Sequence, residues 1–128
     1  MKERKKYSSG VIWEDIVGYS RAVKIDDRIL ISGTTSIVDG NLVGKGDIYL
    51  QTKTIIEKID SVLKQAGSGL QDIIRLRVYV TDIKKWEEAG RALGEAFREI
   101  KPAQTLVSIS ALVDPDMLVE IEAEAVIG

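Results

Sequence analysis

The 128-residue sequence contains no cysteine and no histidine. Without cysteine there is no disulfide framework and no thiol nucleophile. Without histidine the usual general base is missing, together with the usual zinc ligands and any Ser-His-Asp arrangement. Aromatic residues are scarce at 5%, and the net charge is −2. Few stacking rings and an acidic balance argue against a nucleic-acid partner. No apolar run approaches the length that spans a membrane, so no membrane partner is expected. No signal peptide is visible, and a cytoplasmic location is expected. Chemistry must therefore come from Asp, Glu, Lys, Tyr, Ser, Thr, backbone groups and water. No metal and no organic cofactor are expected.

What is present suits one globular domain over residues 1–128: 45% hydrophobic and 30% charged residues. The basic start, MKERKK, is expected to fray over residues 1–6. Residues 19–25 and 28–33 read as two strands joined at Asp26-Asp27. Asp39-Gly40 is a second turn signal. Asp47 is a good N-cap for a helix carried by Ile48, Thr52, Ile55, Ile56, Ile59, Val62, Leu63 and Ala66, with Gly67 ending it. Residues 73–80 form the next strand, with Ile74, Leu76, Val78 and Val80 expected on one side and Arg75, Arg77 and Tyr79 on the other. Thr81 or Asp82 caps a second helix built on Trp86, Ala89, Leu93, Ala96, Phe97 and Ile100. Gly90 and Gly94 within it are expected to allow close packing on the sheet.

The closing stretch, residues 101–126, organises the rest. Pro102 stops the second helix. Gln104, Leu106 and Ser108 then alternate with Thr105, Val107 and Ile109, a strand period. Asp114-Pro115-Asp116 is turn chemistry. In the last strand Val119, Ile121, Ala123 and Ala125 alternate with Glu120, Glu122 and Glu124. The plain reading of those glutamates is a solvated sheet face. The sharper one is that one of them handles a proton in a cleft.

The order β-β-(β)-α-β-α-β-β predicts an α+β domain with both helices on one face of a mixed sheet. The other face is left bare, with Arg75, Arg77, Tyr79, Gln104, Leu106, Ser108 and the glutamates expected on it. Its natural cover is another copy of the chain.

These residues resemble the Rid (YjgF) family of enamine and imine deaminases. The carriers are Gly18-Tyr19-Ser20-Arg21-Ala22-Val23, Ile31-Ser32-Gly33, Gln51-Thr52, Ala66-Gly67-Ser68 and Val80-Thr81-Asp82. The most specific are Pro102-Ala103-x-Thr105 and Val119-Glu120-Ile121-Glu122-Ala123. The resemblance implies a chorismate-mutase-like fold, a homotrimer and a small-molecule ligand in clefts between subunits. It implies Glu120 as the catalytic carboxylate, with Tyr19, Ser32 and Gly33 beside the ligand. Three positions depart from the family pattern. Gln104 stands where the family places a carboxylate-clamping arginine, Gly90 where it has an asparagine, and Leu106 where a sulfur side chain is common. Arg77, or failing it Arg21, could supply the missing cation. A charge-assisted hydrogen bond contributes roughly 1.5–3 kcal/mol. Its loss should weaken binding of a 2-imino acid about tenfold to more than a hundredfold. Two functions are therefore expected to compete. One is hydrolysis of enamines or imines in the manner of a 2-iminobutanoate/2-iminopropanoate deaminase, weak on 2-imino acids. The other is a non-enzymatic trimeric ligand-binding module. A ribonuclease role, described for some family members, is disfavoured by the charge and the missing histidine.

Overall fold

The helical spacing after Asp47 becomes an 18-residue helix, α2 (Ile48–Gln65), in a computed structural model that describes residues 2–128. The Asp47 carboxylate accepts from the Leu50 amide at 3.0 Å and caps it. At the other end Gly67 takes φ 82, and the Ser68 amide reaches the Leu63 carbonyl at 2.8 Å. A Cβ would strain that left-handed closure. Ile48, Ile55, Ile59 and Leu63 line the buried stripe. Each such side chain contributes roughly 1.5–3 kcal/mol by leaving water.

That stripe lies on a six-stranded sheet of order β1-β2-β3-β8-β6-β7. The strands are β1 (Arg4–Tyr7), β2 (Ala22–Ile25), β3 (Arg28–Thr34), β6 (Ile73–Val80), β7 (Ala103–Ser108) and β8 (Val119–Val126). All neighbours are antiparallel except β6 and β7. Helix α3 (Trp86–Phe97) crosses between that parallel pair and packs beside α2 on the same face. The fold is the expected α+β arrangement, with one sheet face covered by helices. β4 (Ile37–Val38) and β5 (Asn41–Leu42) form a small hairpin through Asp39 and Gly40, both with positive φ, as a tight primed turn requires.

Several details differ from expectation. Arg4–Tyr7 does not fray but pairs with β2, and a short helix, α1 (Ile12–Val17), follows it. The pairing of β6 with β8 shifts between Ile73 and Arg75. Ile73 is therefore buried, and Ile74 turns out to solvent at 48% exposure. Asp82 caps only a single 3-10 turn, through the Lys84 amide. Trp86, expected in the core, is exposed. A Cβ on Gly90 or Gly94 would meet Trp86 at the start of α3 or Arg98 just past its end, so neither glycine serves contact with the sheet.

The register of β7 corrects a further point. Gln104 pairs with Leu76, Leu106 with Val78 and Ser108 with Val80. Leu76, Val78 and Val80 are core residues. Partners across a ladder share a face, so Gln104, Leu106 and Ser108 belong to the helix side. Thr105 and Val107, opposite Arg77 and Tyr79, occupy the bare face instead. Alternation alone showed two faces in each strand; only the register shows which faces coincide.

Candidate functional site around Glu120

Glu120 lies in β8 opposite Tyr79, while its inward neighbours Val119 and Ile121 are fully buried. On the other side of β8, the ladder with β3 is irregular between Ile31 and Thr34. This irregularity contains Ser32 and Gly33. A Cβ on Gly33 would sit 2.8 Å from both Cδ and Oε1 of Glu120. The missing side chain is thus what lets the carboxyl lie against the backbone, a close approach of the kind strand glycines permit.

Arg21 supports that backbone from below. It is only 6% exposed, and its Nη2 donates to the Gly33 carbonyl at 2.8 Å. The Ser32 amide donates to the Arg21 carbonyl at 3.0 Å, and the Ser32 hydroxyl donates to the Ser20 carbonyl at 2.7 Å. Ser32 therefore ties residues 19–21 to β3. The Tyr19 ring lies 5.7 Å from the Arg21 guanidinium and keeps an exposed edge.

Burial pushes the Glu120 pKa above the ordinary carboxylate value. The Arg21 charge offsets part of this, and the neighbouring Glu122 adds to it. Glu122 is differently placed. It accepts from the Tyr79 hydroxyl at 2.5 Å and lies 3.7 Å from Arg77 Nη1. That hydrogen bond holds the Tyr79 hydroxyl above its usual pKa. Arg77 is thus engaged with Glu122, and the cation whose field reaches Glu120 is Arg21. Glu124 pairs with Arg28. Three glutamates on one strand face therefore have three environments, and only Glu120 combines burial with no direct cationic partner.

Gln104 is not part of this cluster within the subunit. Tyr79, opposite Glu120, and Leu76, opposite Gln104, stand three residues apart on β6. That is about 10 Å along the strand, with two strand spacings across it, and the side chains leave opposite faces. Among the described residues no group of three or more His, Cys, Asp or Glu side chains could hold a metal ion.

The sequence model of the family described as Endoribonuclease L-PSP matches residues 12–127. A RutC family protein of Pyrococcus abyssi is 38% identical over 109 residues, 84% of each chain. The chain belongs to the Rid (YjgF) family. A Rid-family relative from Acinetobacter baylyi, named 3-aminoacrylate deaminase RutC, is 32% identical over 108 residues, covering 84% of this chain and 85% of that one. The solved structure of a YjgF-family protein from Mycobacterium tuberculosis superposes with a TM-score of 0.89 at 42% identity, covering 98% of this chain and 100% of that one. The mixed sheet with two main helices is the fold these Rid proteins share.

A second cleft of this Rid chain carries no motif in its sequence. It measures about 880 Å³ and is bordered by Arg21 and Lys58 and by none of Tyr19, Ser32, Gly33, Arg77, Gln104 or Glu120. Lys58 sits beside the apolar stripe of α2, and its spacing looks like that of any solvated helix lysine. Only the tertiary fold bends the β4–β5 hairpin over it.

Proposed function

We propose that this Rid-family protein hydrolyses a small imine, or its enamine tautomer, to a carbonyl compound and ammonia, with Glu120 as the acid/base group. The observation that carries this reading is the Glu120 carboxyl, desolvated against Gly33 and raised in proton affinity. A carboxylate with raised proton affinity is a stronger base than a solvated one, which suits it to take a proton from water. An enamine first moves a proton from nitrogen to carbon, which gives the imine. Glu120 then takes a proton from water as the oxygen attacks the C=N carbon, and returns it to nitrogen. The resulting carbinolamine then passes its hydroxyl proton, through Glu120, to the nitrogen; the C–N bond breaks, the carbonyl forms, and ammonia leaves. Imine plus water balances carbonyl plus ammonia, with no metal or redox partner. The deaminase named among the relatives supports this reaction class.

The substrate is expected to lack a carboxylate, or to bind through one only weakly, because Gln104 replaces the arginine fork. Glutamine offers one carbonyl acceptor and two N–H donors, which suits a neutral amide, carbonyl or hydroxyl. Gln104 and Glu120 leave opposite faces of one subunit, so a cleft using both takes them from two copies. We therefore infer a homotrimer in which the uncovered face, where Leu30 and Val107 remain 48% and 42% exposed, is buried between subunits. An RNA-cleaving role draws no support from the net charge of −2 or from the glutamate-lined face. The second reading, a non-enzymatic ligand-binding trimer, rests on Gln104 itself. The test is keto-acid release from an enzymatically generated imine. Glu120→Gln is expected to lose about 100-fold or more, and Glu124→Gln to stay near wild type. Equal rates for both variants would assign the protein to the binding reading.

A further inference from the structure

We propose that the cleft beside Arg21 and Lys58 is a second ligand site, built to hold a small carboxylate with an apolar body. Its volume of about 880 Å³ is within the range of small-molecule pockets. It opens between residues 8–13, the β4–β5 hairpin, the C-terminal half of α2 and residues 113–117. Trp13, Ile31, Ile37, Ile59, Val62 and Met117 give it apolar walls. Glu120 does not border it, so the site does not depend on the catalytic assignment, although Arg21 stands between the two.

Two cations interrupt the apolar lining. Arg21 is 6% exposed, and its Nε is a buried nitrogen without a hydrogen-bond partner among the described residues. Lys58 Nζ donates to the carbonyls of Thr35 and Ile37, at 2.7 and 2.6 Å. An ammonium has three donors, so one remains. Burial, then the charge of Arg21, bring the Lys58 pKa down to about 8. The two cations thus repel each other across the same cleft. An anion between them relieves that repulsion and supplies an acceptor for the third Lys58 proton. Glu14 balances part of the Arg21 charge, but its carboxylate is already engaged by the hydroxyls of Ser8 and Ser9.

The rest of the lining narrows the ligand. Asp39 and Asp114 also border the cleft, and Asp114 Oδ1 accepts from the Asp116 amide. These two carboxylates disfavour a dianion such as phosphate or a dicarboxylate. A monocarboxylate with an aryl or alkyl body meets both the charge and the walls.

Trp13 lines the cleft and Trp86 does not, so Trp86→Phe leaves one reporter at the site. The probe is 3-phenylpropionate, titrated against Trp13 fluorescence, with 3-phenylpropionamide as the uncharged isostere. Saturable binding of the acid is expected, at least tenfold tighter than the amide. Lys58→Met should weaken the acid at least tenfold, Lys58→Arg should restore it, and Glu120→Gln, which removes a negative charge near Arg21, should not weaken it. Equal binding of acid and amide, absence of saturation, or loss of binding in Glu120→Gln would each overturn the proposal. The acid–amide comparison uses the Trp86→Phe protein alone, so it decides the matter even if Lys58→Met fails to fold.

Discussion

At the scale of single residues, Gly33 and Glu120 form one unit. Gly33→Ala places a methyl 2.8 Å from the Glu120 carboxyl. A flexible glutamate can swing away, so folding should survive, but the carboxylate leaves its seat. Activity is expected to fall about 100-fold, the scale of a misplacement of about 1 Å, while the melting temperature moves little. Loss of both together would point to a purely structural glycine. The pH profile offers a second handle. Because the Glu120 pKa is raised, its base form accumulates above the ordinary 4.5. The acidic limb of kcat/KM should therefore lie above that value. Glu122 contributes to the upward shift, so Glu122→Gln should move the limb to lower pH. Lys58 titrates in the opposite sense. Its folded pKa of about 8 is below the ordinary 10.5, so the unfolded chain binds the proton more tightly between those values. Stability is expected to rise with pH across that window, and less so in Lys58→Met, as denaturant melts at pH 7.5 and 9.5 would read. The alternation of residues 119–125 shows which glutamates share a face. It cannot show that Gly33 makes room for one of them, since that contact joins residues 87 positions apart.

Among the elements, Gln51 shows how a polar side chain can close a core. It is fully buried on α2, donates to the carbonyls of Gly44 and Asp116, and accepts from the Leu118 amide. One side chain thus ties the helix start to the loop before it and to the approach of β8. Gln51→Leu leaves the Asp116 carbonyl and the Leu118 amide unpaired, while the Gly44 carbonyl keeps the Asp47 amide, and should cost about 2 kcal/mol or more in urea unfolding, at about 1–3 kcal/mol per group. A cost below about 0.5 kcal/mol would show that these groups find other partners. Helix α2 was legible because cap, stripe and terminal glycine agree. Strand β1 was not, because Arg4, Lys5 and Lys6 carry no apolar alternation and owe their extended form to pairing with β2. The face of Gln104 was also hidden, since the sequence does not contain the register between β6 and β7.

For the whole molecule, the uncovered sheet face and the separation of Gln104 from Glu120 lead to the same place. A cleft that uses both residues needs at least two copies. Light scattering is expected to return three times the 14.1 kDa chain mass, and a persistent single-chain mass at micromolar concentration would remove the inter-subunit cleft. The most direct measurement of the central claim is the rate of 2-iminobutyrate hydrolysis, with the imine released from threonine by a dehydratase. Wild type is expected to be slow. Gln104→Arg supplies two parallel donors for the substrate carboxylate and should raise the rate about tenfold or more. Adding Glu120→Gln to that variant should remove the gain and the basal activity together. A double variant as fast as Gln104→Arg alone would contradict the assignment of Glu120 as the proton-handling group.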